Sequence, residues 1–500
     1  MYRKLETNNH NLYKWNIRDT KKSDHRRNEN RREVRQYSKE YHWFKRRNTN
    51  NIDKVVWPLS TQNNGQSSAL PTVEQIVDTM LSENKYQQFT GMIAARKMIC
   101  DRPYKKIDER IYHSVVPIAI KLLQDTFNPI MQFEAAWVLT NIASRKSERI
   151  QSITYDAIPH LIILLQSKSI SLVEQAAWVL AKIAEYSSAA RDKIINCNVV
   201  PCITKIIHNI IPFSVLRIIV WLMINLCDNK NSPPAFDQIQ LLIPVLSDFL
   251  CVNDISVAAN ACWALSYVTN VDNNRIQVVV EAGVVPRLII MLGSEVPHII
   301  APALRTVSNI VCSGTDYQID KVIEAKGLQK LAVLLRHNNN NIVLEAAYAI
   351  GHITAGNQKH IQAVLDSNLL TNISYVLKKG DFRSKKEAIW TVTNITTNES
   401  IDQVRDLWEK YDLLKPFSGL LNANNDFVVK IVLTGISNCF GLAKRTGNLH
   451  NLCVIFEKIG GLRKLQGLQY HKNKDVYRKA CALIGAYFTN TEQSESKFTP

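Results

Sequence analysis

The residues best suited to chemistry recur as pairs, with two members four positions apart, at eight places spaced 41 to 44 residues along the chain. Positions i and i+4 share one face of a helix. Indole faces can stack on the stem and ammonium group of Lys or Arg, and side-chain amides can hold an extended peptide backbone. We call them the anchor pairs, and the pattern predicts a ladder that binds a basic peptide. The anchor pairs are Trp137/Asn141, Trp178/Lys182, Trp221/Asn225, Trp263/Tyr267, Arg305/Asn309, Tyr348/His352, Trp390/Asn394 and Thr434/Asn438.

The elements that must position these pairs are helices in a tandem array. A period of about 40–47 residues is typical of armadillo and HEAT repeats, whose stacked units share one core. An apolar content of 46% is ample for such a core. We therefore predict an all-α, right-handed armadillo-repeat solenoid of about ten repeats over residues 72–488. A seam of small residues, often with Gly or Pro, precedes the second helix of each repeat and suits a sharp re-entry into helix. It is clearest at 156–159, 198–201, 281–286, 324–328 and 459–462.

The N-terminal 50 residues differ in character from the rest. They hold 15 Lys and Arg against 6 Asp and Glu, within a chain of net charge +17. Asp24 to Arg47 can form one helix with an apolar stripe at Val34, Tyr37, Tyr41 and Phe44. Residues 1–50 are therefore predicted to be a basic arm for an acidic partner, 51–71 a flexible linker and 489–500 a disordered tail.

Several classes of protein are disfavoured by what the sequence lacks. The ten cysteines are scattered without a Cys-x-x-Cys motif, which favours buried free thiols in a reducing compartment. The histidines show no metal-binding spacing, so no metal or other cofactor is expected. The sequence contains no phosphate-binding glycine loop, no His-Glu-x-x-His motif and no nucleophile elbow, so an enzyme is not expected. The most apolar run, from Ile210 to Cys227, is interrupted by Pro212 and Arg217 and predicts a buried helix and no membrane span.

Several segments make a family resemblance specific. They are QFEAAWVLTNIAS at 132–144, ACWALSY at 261–267, PALRTVSNIV at 302–311, ITAGN at 353–357, GGLRKLQGLQ at 460–469, RREVR at 31–35 and KRRN at 45–48. Together they resemble the importin-alpha (karyopherin-alpha) family, in that family's order of parts, over roughly residues 20–488. Arg305, where the other repeats favour Trp, also matches the family pattern.

This resemblance implies a nuclear import adaptor that shuttles between cytoplasm and nucleus. Its groove would bind the basic nuclear localisation signals of cargo proteins, and its arm would bind importin-beta. Importin-beta would contact Arg31, Arg32, Arg35 and Lys39. When importin-beta is absent, Lys45, Arg46 and Arg47 would fold back into the groove as an internal mimic of cargo. A recycling exportin and nucleoporins are the further expected partners of what should be a monomer.

The resemblance also assigns two cargo sites, residue by residue. The major site would comprise Trp137, Asn141, Ser144, Trp178, Trp221 and Asn225. The minor site would comprise Arg305, Asn309, Glu345, Tyr348, Glu387, Trp390 and Asn394.

This chain departs from the family pattern at several of these positions. Lys182 stands where the ladder expects Asn, Tyr186 and Ile150 replace polar residues of the central pocket, and His352 replaces another Asn. We therefore predict weakened or shifted signal preference.

Two alternatives of other classes remain. One is an armadillo scaffold dedicated to a single protein partner, which would have no need of the basic arm. The other is nucleic-acid binding by the arm, whose basic residues alternate with aromatic ones. The basic arm argues against the scaffold, and its single apolar stripe favours docking on a protein surface over binding to nucleic acid.

Overall fold

The computed structural model describes residues 71–100, 109–144, 154–208, 211–397 and 401–488. Every regular element in these ranges is a helix, which confirms the all-α prediction. The predicted arm with its basic residues at 31–47, nearly all of the linker, Ile150 and the tail lie outside the described residues. The chain divides between Val284 and Val285 into two compact units, called here the N-terminal and C-terminal units.

The N-terminal unit is built from thirteen described helices. They are α1 (Val73–Met80), α2 (Lys85–Cys100), α3 (Glu109–Leu123), α4 (Pro129–Ala143), α5 (Ile158–Leu164), α6 (Ile170–Tyr186), α7 (Ser188–Asn196), α8 (Val199–Ile207), α9 (Phe213–Cys227), α10 (Phe236–Ile239), α11 (Ile243–Phe249), α12 (Ile255–Val268) and α13 (Asn273–Glu281). Short 3₁₀ turns at Thr154–Ala157 and Gln240–Leu242 lead into α5 and α11.

The C-terminal unit continues the same pattern. Its helices are α14 (Val285–Met291), α15 (Pro297–Ser313), α16 (Asp316–Glu324), α17 (Gly327–Leu334), α18 (Asn340–Thr354), α19 (Gln358–Asp366), α20 (Leu370–Lys379), α21 (Phe382–Thr396), α22 (Ile401–Glu409), α23 (Leu414–Gly419), α24 (Asp426–Arg445), α25 (Leu449–Lys458), α26 (Gly461–Gly467) and α27 (Lys474–Tyr487). Two 3₁₀ turns, Leu420–Asn422 and Leu468–Tyr470, follow α23 and α26.

Within each unit, the third helix of each repeat packs on the third helices of the neighbouring repeats. In the N-terminal unit α2, α4, α6, α9 and α12 pack in this order, and in the C-terminal unit α15, α18, α21, α24 and α27 do so. Ten third helices in the described residues agree with the predicted repeat number. Because each third helix packs against its neighbours, the anchor residues that it carries are all at least partly buried.

Local sequence explains where these helices begin. The Asp254 side chain accepts hydrogen bonds from the Ser256 and Val257 amides at the start of α12, as a helix N-cap should.

Turns between first and second helices use left-handed backbone, which glycine adopts most easily. In the described turns of this kind, the left-handed residues are Asn198, Gly283, Lys326, Asn368, Asp412 and Gly460, with φ between 47° and 75°. Asn, Lys and Asp therefore fill most of these turns.

The apolar run that ends at Cys227 forms α9, in which most side chains are buried. Among the described residues, the 20-residue helix Asp426–Arg445 is long and apolar enough to cross a membrane by length and composition. In its most apolar window, 61% is buried inside the protein, and it packs on α21 and α27. Such burial is typical of the core helix of a repeat.

Candidate peptide-binding site

The four tryptophans of the N-terminal unit lie on consecutive third helices, α4, α6, α9 and α12. Trp137, Trp178 and Trp263 are buried, and Trp221 is partly exposed. The rings of Trp178 and Trp221 meet edge to face, with centroids 6.5 Å apart. The structure thus brings neighbouring anchor rings to the distance at which aromatic side chains contact one another.

The side-chain amides of this unit are not equivalent. Asn141 is only 2% exposed, and neither its Nδ2 nor its Oδ1 has a hydrogen-bond partner. Asn225 donates from Nδ2 to the Trp221 carbonyl at 3.0 Å. Since an unsatisfied buried amide is unfavourable, Asn141 is the amide of this unit that stands to gain most from a ligand backbone.

Ser144, one turn beyond Asn141, caps the end of α4. Its hydroxyl donates to the Thr140 carbonyl at 2.8 Å, and the residue is exposed. The hydroxyl is therefore accessible to a ligand, although its proton is already donated to a backbone carbonyl of the helix.

Lys182 occupies the amide position of the anchor pair on α6. Its Nζ lies 4.9 Å from the Trp221 ring centroid and 3.2 Å from Glu185 Oε2. The lysine side chain is 11% exposed and that of Glu185 is 29% exposed. The altered position therefore places a cation on an anchor ring of the next repeat.

Trp137 also faces a cation from the same chain. Arg96 Cζ lies 4.1 Å from the Trp137 ring centroid, and Arg96 Nε donates to Glu134 Oε2 at 2.9 Å. Both charged side chains are buried, and this burial raises the pKa of the Glu134 carboxyl although Arg96 acts to lower it. Arg96 was not among the predicted site residues. It lies 41 residues before Trp137, so extending the repeat period by one step would have found it.

The anchors of the C-terminal unit are more varied. Arg305 Nη1 pairs with Glu345 Oε2 on the next third helix at 3.2 Å, and Glu345 is buried. The Tyr348 hydroxyl lies 3.1 Å from Cys312 Sγ. Its ring packs edge to face against that of His352, with centroids 4.4 Å apart. Tyr348 therefore retains an aromatic face near Glu345, but the Glu345 carboxylate is already paired with Arg305.

Trp390 is partly exposed and contacts Phe427, with ring centroids 6.1 Å apart. Lys386, one turn before Trp390, places its Nζ 5.2 Å from the Phe427 centroid. Glu387 is partly exposed and makes no ion pair with any described residue. Phe427 and Lys386 were missed in the sequence because neither occupies an anchor position.

Two amides of the C-terminal unit donate hydrogen bonds to the third helix of the preceding repeat. Asn394 donates from Nδ2 to the Gly351 carbonyl at 2.9 Å, and Asn438 donates to Thr396 Oγ1 at 3.2 Å. Asn309 is partly exposed on α15. A ligand backbone at Asn394 would therefore have to displace an existing bond.

Other kinds of chemistry find little support in the described ranges. No group of three or more His, Cys, Asp or Glu there could hold a metal ion. The nine cysteines whose surroundings are described are free, and burial raises the pKa of Cys227 and that of Cys439 to about 12. Such thiols stay protonated at neutral pH and are poor nucleophiles.

Comparison with protein families supports the same interpretation from independent sequence information. Residues 9–93 match the importin beta binding domain, so that match extends past the predicted linker into α1 and α2. Residues 148–185, 272–312 and 315–355 match the armadillo/beta-catenin-like repeat, and residues 450–500 match an atypical armadillo repeat. The armadillo assignment is thereby confirmed.

Curated relatives match the chain almost from end to end. Importin subunit alpha-3 of Arabidopsis thaliana is 34% identical over 499 residues, covering 97% of this chain and 92% of the relative. Importin subunit alpha-4 of the same plant is 32% identical over 497 residues with the same coverage. Importin subunit alpha-1a of Oryza sativa subsp. japonica is 33% identical over 490 residues, covering 96% and 92%.

Among solved structures, the crystal structure of an engineered protein resembles this chain with a TM-score of 0.69. It covers 83% of this chain and 98% of its own, at 24% sequence identity. At that identity the likeness concerns the fold alone.

Proposed function

The chain belongs to the importin-alpha family and is a nuclear import adaptor, and from this premise we propose how its described units bind cargo. The N-terminal unit carries the major site for basic nuclear localisation signals, and the C-terminal unit carries a weaker minor site. The arm links the loaded adaptor to importin-beta.

The major site consists of Trp137, Asn141, Ser144, Trp178, Trp221 and Asn225. The observation that carries this proposal is the edge-to-face contact of Trp178 with Trp221 at 6.5 Å on adjacent third helices, because neighbouring indoles form an aromatic surface on which the stem of a lysine or arginine can lie. The unpartnered amide of Asn141 adds a place for the peptide backbone of the signal.

The minor site consists of Arg305, Asn309, Glu345, Tyr348, Glu387, Trp390 and Asn394. Its weakness follows from bonds it already makes. The Glu345 carboxylate pairs with Arg305, and the Asn394 amide donates to Gly351. Glu387 is then the acid best placed to meet a signal lysine beside Trp390.

The arm completes the adaptor in this proposal. Arg31, Arg32, Arg35 and Lys39 contact importin-beta, and Lys45, Arg46 and Arg47 occupy the major site when importin-beta is absent. Because arm and repeats share one chain, this competition runs at high effective concentration. The protein acts as a monomer by binding alone, without catalysis, and shuttles between cytoplasm and nucleus with help from a recycling exportin and nucleoporins.

The test uses the full chain with Lys45, Arg46 and Arg47 replaced by Ala, called here the arm-neutral chain. A fluorescein-labelled Lys-Lys-Lys-Arg-Lys peptide is titrated and its anisotropy is followed. Binding is expected to be weaker than low micromolar, because three features of the central pocket are altered. Trp178→Ala should weaken it about tenfold further, as loss of a cation–π slot predicts.

The matched control is Trp408→Ala, which removes a tryptophan from the first helix α22, outside the anchor register. It should leave peptide affinity unchanged. Equal affinity of the Trp178→Ala and parent chains would place the signal elsewhere. Low-micromolar binding by the parent would instead disprove the weakened pocket while keeping the site.

A further inference from the structure

Lys182 stands out because it completes the arrangement that a bound signal lysine would make. Its ammonium lies over the Trp221 ring at 4.9 Å and beside the Glu185 carboxylate at 3.2 Å. Aromatic face and acid together are the groups that recognise a lysine. Here both are used by a lysine of the same chain.

Helix geometry explains why this lysine reaches its neighbour's ring. Lys182 is four residues after Trp178, so it lies on the anchor face of α6, which packs on α9. Glu185, three residues further on, lies on the same side of α6 and can hold the ammonium there. At the equivalent positions Asn141 and Asn225 are too short to cover the ring of the following repeat.

The contact is also well shielded. The Lys182 side chain is 11% exposed, and solvent screens a charge pair much less at such burial than at the surface. A second cation entering the same slot would meet the Lys182 charge at short range and would find Glu185 already paired. Lys182 must therefore move away before the Trp221 face can accept an arginine or lysine from outside.

We propose that Lys182 is an internal ligand of the Trp221 slot and a specificity-determining residue of the major site. It competes with the basic side chains of a nuclear localisation signal and so disfavours uninterrupted runs of Lys and Arg. Glu185 is the positioning residue that keeps it on the ring. This inference rests on the proposed cargo site, and it explains the weakened binding by one named contact.

The first test measures affinity of the arm-neutral chain for the same Lys-Lys-Lys-Arg-Lys peptide. Lys182→Asn should bind it roughly tenfold more tightly, because the slot is vacated and the amide of the anchor pair is restored. Lys182→Arg retains a cation and should bind as weakly as the parent. No tightening in Lys182→Asn would overturn the proposal.

Lys205→Asn is the matched control for charge and helix propensity. Lys205 is an exposed lysine within α8 of the same unit, away from the anchor register. Its replacement should change peptide affinity less than twofold. A gain equal to that of Lys182→Asn would assign the effect to net charge and would refute a specific slot.

The second test needs no peptide, so it separates this inference from the proposed function. In the free chain, the ring current of Trp221 should shift the side-chain NMR signals of Lys182 upfield, and Trp221→Ala should abolish the shift. Signals at the position of a free lysine would refute the contact itself. A shifted Lys182 combined with no peptide binding by any variant would instead refute the cargo site, and with it the competition.

Discussion

At the scale of single residues, acids beside the anchor rings are paired with cations of the same chain. Glu134 pairs with Arg96, Glu185 with Lys182 and Glu345 with Arg305. The sequence marked Lys182 as a departure and Glu345 as a signal-binding acid. It did not reveal the pair of Glu345 with Arg305, because these two residues lie in different repeats and are brought together by packing. Within a helix, spacing alone would have allowed the pair of Lys182 with Glu185.

Asn141 provides a prediction about stability and binding together. Replacing it with Leu, which has a similar shape, removes two unsatisfied buried polar atoms and should stabilise the protein by about 1 kcal/mol. We expect the melting temperature to rise by about 2 °C, measured by circular dichroism. Peptide affinity of the arm-neutral chain should fall severalfold, because the amide for the signal backbone is lost.

Asn225→Leu is the control for this change. Its Nδ2 already donates to the Trp221 carbonyl, so the substitution breaks a bond and should not raise the melting temperature. A lower melting temperature for Asn141→Leu would mean that the Asn141 amide is satisfied in solution.

At the scale of helices, the repeat was largely predictable from the sequence. The period located the third helices, and the small-residue seam located the turns before the second helices. The turns themselves were harder to predict, because only Gly283 and Gly460 among the described left-handed residues between first and second helices are the expected glycine. Lys326, Asn368 and Asp412 adopt the same backbone because the two flanking helices must pack, which outweighs local preference.

Lys326 allows the cost of this backbone to be measured. It is exposed with φ 64°, a conformation that costs a residue with a Cβ about 1 kcal/mol. Lys326→Gly should therefore raise the free energy of unfolding by roughly 0.5–1 kcal/mol, after allowing for the greater freedom of glycine in the unfolded chain. Urea unfolding followed by circular dichroism is the measurement.

Lys326→Ala removes the same charge but keeps a Cβ, so it should give no comparable gain. Equal stabilisation by Ala and Gly would show that the lysine side chain, and not the backbone, is unfavourable at this turn.

At the scale of the whole molecule, the two proposals together have three basic ligands compete for one surface. They are Lys182 on the ring of Trp221, the Lys45, Arg46 and Arg47 cluster of the arm, and the signal of a cargo protein. The sequence predicted the arm and the ladder, and the family match confirms that the chain is an adaptor with an importin beta binding domain. The sequence alone could not show that Lys182 lies on the Trp221 ring, since the net charge of +17 gives no location for any single cation.

This competition makes a prediction for the full chain. Lys182→Asn should strengthen fold-back of the arm as well as cargo binding, because both use the Trp221 slot. The gain in peptide affinity should thus be smaller with the native arm than in the arm-neutral chain. Adding Trp221→Ala to Lys182→Asn should weaken peptide binding and also shrink the gain that arm neutralisation brings. The four peptide affinities are those of Lys182→Asn with and without Trp221→Ala, each measured with the native and with the neutralised arm, and they form a double-mutant cycle. Additive effects of Trp221→Ala and arm neutralisation would show that the arm folds back elsewhere.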